Sequence, residues 1–478
     1  MNRLLLFTAT MLLGFCSFSQ RTALKFTSSD SALQHAFDRA KQMALSHKGS
    51  DKDPVGPWYE AALPSRYAFC IRDVSHQCLG AEMLGMGREN KNMFGKFLQN
   101  ISASKDWCTF WEINKWNRPA PADYKNDSAF WYNLNANFEL IFACERLYRW
   151  TGDSNYIFSA KSDYFFEKSL NDYVQKWKLQ PGSIFTRPAI VNKPSNFDYA
   201  DNYTRSRGLP SYVESIDSLS MSADLVAAIY RGYASYASIL KRRGAFLKSN
   251  EYEKRAAPYL QQLNTKWWNA ANNEYFTFYT TDGKFGVGEG AAFLLWFDAV
   301  KDQLQKQAAI RQLLKQGLNI ETMSYLPCIL YKNGYDSLAK YYLLHISDAR
   351  TPRREYPEAS FGAIEGIVQG LMGIDADYDS NTVRSCYRGN ENDKAGIDDL
   401  PVFNSTIKLV HNGKKQSIFT NKGNKAVQWQ PCFAGRHNFI YVKGKRVKAQ
   451  QMSDTAGNLF SFTYVKVEGK KSVVAAVK

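Results

Sequence analysis

Four acidic residues in separate segments of the chain could carry acid–base chemistry: Asp73, Glu112, Glu214 and Glu358. Inverting cleavage of a glycosidic bond requires one protonated carboxyl for the leaving oxygen and one carboxylate to activate water, about 6.5–9.5 Å apart. Glu112 lies among Trp and Phe residues, where loss of solvation would raise its pKa as a general acid requires. We therefore expect these acids to meet at one end of the fold and to supply such a pair.

Each of these acids also has a structural interpretation. Asp73 could cap the helix that follows it and pair with Arg72, because Asp is a favoured N-cap residue. Glu214 and Glu358 each precede a predicted helix, whose dipole favours an acid in the first turn. Glu112 could form an ion pair with a basic neighbour. The sequence alone leaves both interpretations open.

A second chemistry fits other residues of the same segments. Uronic acid polymers are cleaved by β-elimination when a base removes the C5 proton, a Tyr or His supplies the acid, and cations neutralise the carboxylate. His76 and Tyr203 are the candidates for the acid and base. Arginines can bind a carboxylate with two parallel hydrogen bonds. The candidates for substrate binding are Arg66, Arg72, Arg205, Arg207, Arg354 and Tyr356.

Aromatic residues are unusually frequent, with 11 Trp, 28 Tyr and 30 Phe making up 14% of the 478 residues. Trp rings in long loops could stack on sugar rings, whereas Trp residues on predicted helices are expected in the core. The loop candidates are Trp58, Trp107, Trp111, Trp116 and Trp131. We place Trp111 among the substrate-binding residues.

The elements that position these residues follow from the periodicity. Across residues 31–371 apolar residues return every three or four positions, which predicts twelve helices, among them 31–46, 76–86, 302–317 and 335–347. Tight connections such as the one at Gly152 predict antiparallel hairpins. Long aromatic loops interrupt this pattern and are expected to fold over one end of the helical body. Their ranges are 48–73, 105–128, 179–220, 268–290 and 348–359. From residue 400 onward the period changes to two, which predicts an antiparallel β unit.

Two segments resemble a known family. Residues 65–77 contain the pair Arg72-Asp73 shortly before a predicted helix, and residues 354–366 lead into the last predicted helix. With the paired helices, these segments resemble the six-hairpin (α/α)6 glycosidase superfamily, which includes α-L-rhamnosidase-like glycoside hydrolases and related polysaccharide lyases. The resemblance implies a mainly α fold, an (α/α)6 barrel of six helical hairpins. After Arg-Asp the sequence departs from rhamnosidases, which continue with a further acid and a Gly-Trp pair.

The net charge of +16 is concentrated near the end of the sequence. Residues 401–478 contain 14 Lys and Arg but only Asp454 and Glu468 as acids. Nucleic-acid binding would require basic and aromatic residues interleaved on one element. We therefore expect no nucleic-acid partner, and interpret the basic tail as a solvated face or a surface that binds acidic polysaccharide.

The first twenty residues are typical of a secretory signal peptide. Arg3 precedes an apolar run at 4–16, and small and polar residues follow. This predicts a secreted or periplasmic protein without a membrane span, because the run is too short to cross a bilayer. The predicted organisation is a signal peptide at 1–20, a catalytic barrel at 21–376 and a β-rich unit at 400–478.

Together these features predict an exported enzyme that cleaves glycosidic bonds of a uronate-containing polysaccharide or oligosaccharide. An inverting glycoside hydrolase is favoured. A polysaccharide lyase and a non-catalytic glycan-binding protein are the alternatives. No cofactor or metal is expected, because the six His residues are dispersed and no nucleotide-binding motif occurs. The sugar, the linkage and the oligomeric state do not follow from the sequence.

Overall fold

Helices dominate residues 31–371 and strands dominate residues 375–478. The structure, a computed structural model, describes residues 24–63, 66–187, 207–212, 216 and 218–478, so the predicted signal peptide lies outside the described residues. The mainly α fold with a β-rich part is thus confirmed. Within the described ranges, no helix is both long and apolar enough to cross a membrane.

The helices are numbered in chain order. They are α1 (Ser31–Ser46), α2 (Ile71–Met83), α3 (Gly87–Gln99), α4 (Ala136–Thr151), α5 (Ala160–Lys168), α6 (Ala223–Arg242), α7 (Phe246–Thr265), α8 (Ala291–Trp296), α9 (Gln303–Leu314), α10 (Ile320–Lys332), α11 (Asp336–Ser347) and α12 (Pro357–Glu365). Helix α5 continues through a π-helical turn, Ser169–Tyr173, into Val174–Lys176, and α12 continues into the π-helical turn Gly366–Leu371.

Local sequence signals set several of these helix ends. The Asp30 side chain accepts hydrogen bonds from the first backbone N–H groups of α1, and Asn319 does the same for α10. Gly152 ends α4 with a φ of 73°, a left-handed conformation that glycine adopts without strain. Pro357 begins α12, where its missing N–H removes no helical hydrogen bond.

Helix α2 begins at Ile71, five residues before the start that the periodicity predicts at residue 76. The reason is burial. Ile71, Val74 and Cys78 are fully buried, and so are most residues between them. A helix that is buried on nearly all sides lacks the polar face that makes a helical period visible in the sequence.

The even-numbered helices pack side by side. Contacts run from α2 to α4, α6, α8, α10 and α12 in turn, and α12 contacts α2 again. Most odd-numbered helices pack against an even-numbered neighbour in the chain, as in α2–α3, α6–α7 and α10–α11. Two glycines permit close approach. A Cβ on Gly80 would lie 2.4 Å from the Phe361 carbonyl oxygen, and one on Gly362 would lie 2.5 Å from that of Ser324.

Short strands occur in the loops that lead into these helices. They are β2 (Ala68–Cys70), β3 (Glu112–Asn114), β4 (Tyr124–Asn126), β5 (Ala129–Phe130), β6 (Tyr132–Asn133), β7 (Arg207–Leu209), β8 (Leu219–Ser222), β9 (Trp268–Asn269), β10 (Glu274–Tyr275), β11 (Phe278–Thr280) and β12 (Phe285–Gly286). The pair β2–β3 is antiparallel and places Cys70 opposite Glu112. In the described part of the chain, the loops at 48–73, 105–128 and 268–290 are therefore held by small sheets.

The remaining strands form two larger sheets. They are β1 (Lys25–Ser28), β13 (Asp375–Asp377), β14 (Thr382–Cys386), β15 (Lys394–Val402), β16 (Ser405–Asn412), β17 (Gln416–Asn421), β18 (Val427–Ala434), β19 (Phe439–Val442), β20 (Lys445–Lys448), β21 (Gln450–Ser453), β22 (Leu459–Phe462), β23 (Val465–Val467) and β24 (Lys471–Ala476). One sheet has the order β1-β15-β16-β17-β24-β19-β20. The other has the order β13-β14-β18-β22-β21, with β23 beside β18.

Two features of these sheets differ from the prediction of an antiparallel unit at 400–478. The pair β14–β18 is parallel, and β1 enters the sheet from the other end of the sequence. The sheets are also joined to the helices. The Trp150 indole N–H in α4 donates to the Pro401 carbonyl oxygen at 2.8 Å, and the two rings of Phe419 and Trp429 stack between the sheets at 5.3 Å.

The glycine contacts yield a stability prediction. We expect Gly80→Ala and Gly362→Ala each to lower the free energy of unfolding by about 1–3 kcal/mol, because the added methyl group must push two helix backbones apart. The matched control is Gly95→Ala in α3, where nothing lies within 4 Å of the added carbon. That change should stabilise the protein by about 0.5–1 kcal/mol. Urea denaturation measures all three, and equal effects at the three glycines would contradict the packing described here.

Candidate active site

An acidic residue stands at the N-terminal end of each even-numbered helix. We call this set the acidic cluster: Asp73, Glu139, Asp224, Glu289, Glu321 and Glu358. All but Glu289 lie in the first turn of their helix, and Glu289 comes two residues before α8. The helix dipole favours a carboxylate at such a position. The long loops lead into these same helix ends, as the sequence predicted.

The carboxyl groups of Asp73 and Glu358 are neighbours, close enough for a hydrogen bond between them to shift the pKa of each. Such a bond requires a proton on one of the two groups. Burial, followed by the charge of Glu358, raises the pKa of Asp73 well above its usual value. Burial and the charge of Glu321 raise the pKa of Glu358 to about 7. The pair therefore holds one proton near neutral pH.

Arg72 lies beside this pair and over two aromatic rings. Its guanidinium carbon is 3.9 Å from the centre of the Tyr212 ring and 5.6 Å from that of Trp111. Its Nη2 lies 3.8 Å from Glu321 Oε2. The cleft is lined by Arg72, Asp73, Tyr212, Glu289, Phe293, Asn319, Glu321, Thr322, Tyr325 and Glu358. It thus combines carboxyls, one guanidinium and aromatic rings.

Glu112 forms a second carboxyl pair outside the cleft lining. Arg66 Nη1 donates to Glu112 Oε1 at 2.7 Å and to Asp123 Oδ2 at 3.2 Å. The two carboxyl groups therefore lie beside each other on the same guanidinium. Burial and the neighbouring Asp123 raise the pKa of Glu112 well above its usual value, and Asp73 adds to this shift. The aromatic segment thus desolvates Glu112 as expected, with Arg66 as its ion-pair partner.

Glu139 and Asp224 differ in their partners. Burial raises the pKa of Glu139 to about 8, although Arg72 and the Tyr212 hydroxyl lower it in part. Asp224 accepts hydrogen bonds from the Asn135 amide at 3.1 Å, from the Ser211 hydroxyl at 3.2 Å and from the Tyr212 backbone N–H at 2.7 Å. We therefore assign Asp224 the structural role of fixing Tyr212 in the cleft.

His76 is buried one helical turn below Asp73. Its ring stacks on Tyr325 at 3.5 Å, and its Nε2 is 2.8 Å from the Ser324 hydroxyl. Burial, with repulsion from Arg146 and Arg72, lowers the pKa of His76 well below its usual value. The imidazole is therefore neutral, and it supports the Tyr325 ring that lines the cleft.

The other predicted substrate-binding residues lie in different surroundings. Arg207 Nη2 is paired with Asp106 Oδ2 at 2.7 Å, and buried Arg354 donates to the Ser360 hydroxyl at 3.0 Å. Tyr356 is hydrogen-bonded to Arg353. Of the predicted site residues, the structure thus brings Asp73, Glu358 and Arg72 into one cleft, with Trp111 behind Arg72. Tyr203, Arg205 and Glu214 lie outside the described residues.

Sequence reasoning missed several acids of this end: Glu139, Glu289, Glu321 and Asp123. Glu139 follows Asn135 within a continuous helical pattern, so it resembles an ordinary polar position on a helix. Glu321 has the clearest signal, because Asn319 is a good N-cap and Glu321 falls in the first turn after it. The sequence carries a pattern of an acid in or just before the first turn of every second helix, but the pattern becomes visible only when the helix starts are known.

Tyr67 and Trp116 form an exposed aromatic pair, which we call the rim pair, just beyond the paired strands β2 and β3. Tyr67 is 48% exposed and Trp116 is 53% exposed. Their ring centres are 6.5 Å apart, and Lys115 Nζ lies 3.9 Å from the Tyr67 ring. In the β2–β3 pair, Ala68 lies opposite Asn114 and Cys70 lies opposite Glu112. At about 3.3 Å per strand residue, the rim pair therefore lies roughly 10 Å from Cys70.

Comparison with solved structures finds similar folds. The α-L-rhamnosidase from Dictyoglumus thermophilum matches with a TM-score of 0.58 at 12% identity, over 95% of this chain and 50% of that one. A GH78 family rhamnosidase of Bacillus sp. GL1 matches with a TM-score of 0.56 at 13% identity, over 84% and 41%. A putative kojibiose phosphorylase from human microbiome matches with a TM-score of 0.55 at 11% identity, over 94% and 68%.

At these identities the likeness shows the fold, which is consistent with the six-hairpin glycosidase superfamily that the sequence resembles. The chain spans half or less of the length of the two rhamnosidase chains. No protein-family model matches the chain. A local match of 38% identity over 88 residues to the intron large complex component GCFC2 of Mus musculus covers 18% of this chain and 11% of that protein, and carries no functional inference.

The proton shared by Asp73 and Glu358 yields a pH prediction. The pKa of Glu358 rises from 4.5 to about 7 on folding, so the folded protein binds this proton more tightly than the unfolded chain. The free energy of unfolding should therefore fall as the pH rises from 4.5 towards 7. Glu358→Gln cannot ionise, and should be the more stable protein at about pH 8 by on the order of 1–3 kcal/mol.

Chemical denaturation of both proteins across this pH range measures the effect. The control is Glu355→Gln, which changes an exposed acid of the same loop and should leave the pH dependence as in the wild type. A parallel pH dependence of wild type and Glu358→Gln would show that the buried pair does not hold the proton.

Proposed function

We propose that this chain is a glycoside hydrolase whose even-numbered helices form the inner ring of an (α/α)6 barrel. The series of contacts from α2 through α12 and back to α2 supports the barrel. The observation that carries the activity is the proton-sharing pair Asp73–Glu358 in a cleft that also contains Glu289. The rhamnosidases among the similar folds support a carbohydrate substrate.

The Asp73–Glu358 pair is the general acid in this proposal. A carboxyl that keeps its proton near neutral pH can give it to the leaving oxygen as the glycosidic bond breaks. After the transfer the pair carries two negative charges, and Arg72 stands close enough to both to stabilise them. The two acids cannot be the inverting pair by themselves, because their hydrogen bond leaves no room for a water between them.

Glu289 is the general base in this proposal. In the series of contacts between even-numbered helices, α8 is three helices away from α2 in both directions. Glu289 and Asp73 therefore lie on opposite sides of the cleft in this proposal. Inversion requires a base on the side of the sugar opposite the acid, which is the side that Glu289 occupies in this proposal. Burial and the charge of Glu321 raise the pKa of Glu289, which makes its carboxylate a better proton acceptor.

Arg72 is the cleft residue suited to a uronate. It is the guanidinium that lines the cleft in the described part of the chain, while Arg66 and Arg207 are bound to acids. A substrate carboxylate would compete with Glu321 for Arg72. β-Elimination is less favoured than hydrolysis, since the buried neutral His76 lies in contact with Tyr325 and Ser324 rather than at the cleft surface.

Product analysis separates hydrolysis from elimination. We expect a panel of rhamnosides, glucuronides and uronate-containing oligosaccharides to contain a substrate that releases a reducing sugar, with the anomeric configuration inverted. Elimination would instead leave a C4–C5 double bond that absorbs ultraviolet light. Unsaturated products would replace the hydrolase proposal with the lyase, and binding without turnover of any glycan would favour the non-catalytic alternative.

Substitution of the cleft acids tests their roles. Asp73→Asn, Glu358→Gln and Glu289→Gln should each lower kcat by roughly 10²–10⁴-fold, because an amide cannot transfer the proton. Glu112→Gln should have a smaller effect, since Glu112 lies outside the cleft lining and acts on Asp73 through its charge. Glu355→Gln is the control, with thermal melting of every variant as the check on folding. A severe loss in Glu112→Gln with normal turnover in Glu289→Gln would move the base to Glu112.

The rim pair of Tyr67 and Trp116 should bind a distant sugar unit of a longer substrate. Trp116→Ala should remove about 0.5–1.5 kcal/mol of aromatic contact, which is roughly a 2–10-fold rise in KM for an oligosaccharide. The KM for a small aryl glycoside should not change, because it does not reach the rim. Tyr341→Ala removes an equally exposed ring on α11 and is the control. An equal rise in KM for both substrates would contradict a distant subsite.

We also propose that residues 1–20 direct export of the chain. The charged start, apolar run and small residues of this segment support the proposal. Sequencing the N-terminus of the protein recovered outside the cytoplasm tests it. An intact first residue on the exported protein would contradict cleavage near residue 20.

A further inference from the structure

A cavity of about 670 Å³ lies at the opposite end of the even-numbered helices from the acidic cluster. Helices α4, α8, α10 and α12 contribute residues from their C-terminal parts, including Arg146, Trp296 and Lys332. The sheet that contains β14, β18 and β22 closes it, with Arg388 and Phe460 among the lining residues. Its volume is within the range of about 300–1,000 Å³ that is typical of small-molecule sites.

The walls of this cavity carry an excess of positive charge. Among the described residues that line it, eight are Lys or Arg and four are Asp or Glu. Several of these cations are balanced by an acid of their own. Arg146 pairs with Glu365, and Arg388 lies between Asp336 at 3.3 Å and Asp454 at 3.2 Å.

The imbalance is concentrated at Asp298. Four cations share this one carboxylate: Lys301 at 2.9 Å, Arg231 at 3.4 Å, Lys306 at 3.9 Å and Lys332 at 4.0 Å. Like charges this close are costly unless a counter-charge lies between them.

The helix dipole does not account for this arrangement. A cation near the C-terminal end of a helix is favoured, which explains Lys332 in the last turn of α10. Arg231 lies in the middle of α6, and Lys306 lies in the first half of α9, where the dipole favours negative charge. The helix dipoles therefore do not explain why Arg231 and Lys306 lie beside Lys332 in the cavity.

We propose that this cavity binds an oxyanion carried on a molecule the size of a sugar acid, with Arg231, Lys306 and Lys332 holding the anionic group. Charged hydrogen bonds from Lys and Arg are the strong ones for carboxylate, sulfate and phosphate. Trp296, Tyr331 and Phe460 supply aromatic walls for the body of the ligand. Because the walls come from both the helices and a sheet, the bound anion links the two. The site is separate from the proposed catalytic cleft and does not depend on it.

Calorimetric titration and thermal melting of the full chain test this proposal, with glucuronate, inorganic sulfate and neutral glucose as probes at constant ionic strength. Glucuronate should bind and raise the melting temperature above the value in chloride, and glucose should do neither. Binding by glucuronate alone indicates a sugar acid as the natural ligand, and binding by sulfate as well indicates a site for oxyanions in general. Failure of both anions to bind would overturn the proposal.

Variants locate the binding. The double change Lys306→Gln and Lys332→Gln should weaken the Kd at least about tenfold, because it removes two charged donors. The double change to Arg at the same positions keeps the charge and should retain binding, which distinguishes lost recognition from a damaged fold. Lys241→Gln, an exposed lysine of α6, is the matched control. Undiminished binding in the Gln double variant, or binding lost on Arg72→Gln instead, would place the anion elsewhere and overturn the proposal.

Discussion

Repulsion among the carboxyl groups at one end of the even-numbered helices is the constraint on which this site depends. Six acids approach one another because the helices that carry them pack closely, with Gly80 against the Phe361 carbonyl. Three effects relieve the repulsion. The helix dipoles favour negative charge at these ends, Asp73 and Glu358 share a proton, and Arg72 adds a positive charge. The carboxyl pKa values are raised first by burial and then by this repulsion, and the close packing of the helices produces both.

The same packing gives the helical body two ends of opposite charge. The long loops and the acids lie where the even-numbered helices begin, and basic side chains line the cavity where they end. Aromatic rings stand between charged groups at both ends, with Tyr325 near Arg72 and Trp296 4.7 Å from Arg146. This arrangement explains why the composition is rich in Trp, Tyr and Phe, since many of these rings separate charges as well as filling the core.

Much of the helical body could be predicted from the sequence because its outer helices are amphipathic. The bounds of α1 match the predicted 31–46, and α11 and α9 differ from their predicted bounds by a few residues at most. Helices such as α2 begin earlier than predicted, since burial on all sides hides the period. The sequence predicted a β-rich unit but not which strands pair within it. No local pattern reveals that Cys386 lies beside Cys432 in parallel strands.

The site was predictable in part. The Arg-Asp segment and the loop before α12 both carry residues of the cleft, and Asp73, Arg72 and Glu358 follow from them. The partners were not predictable, because they depend on contacts between distant segments. Arg66 joins Glu112 to Asp123, and the hydroxyl groups of Tyr212 and Tyr325 lie 3.4 Å apart. Neither arrangement leaves a signature within one stretch of sequence.

The pairing of β1 with β15 governs the order in which the molecule can be assembled. Thr27 and Gly396 are hydrogen-bonded although they are 369 residues apart. During synthesis β1 emerges first, and its partner emerges only after the whole helical body. Until then Phe26 has the Phe37 ring of α1, 5.2 Å away, as an early contact. The β1–β15 pairing can therefore form only after the helical body has been synthesised, and a force that pulls on the chain ahead of β1 would load this pairing before α1.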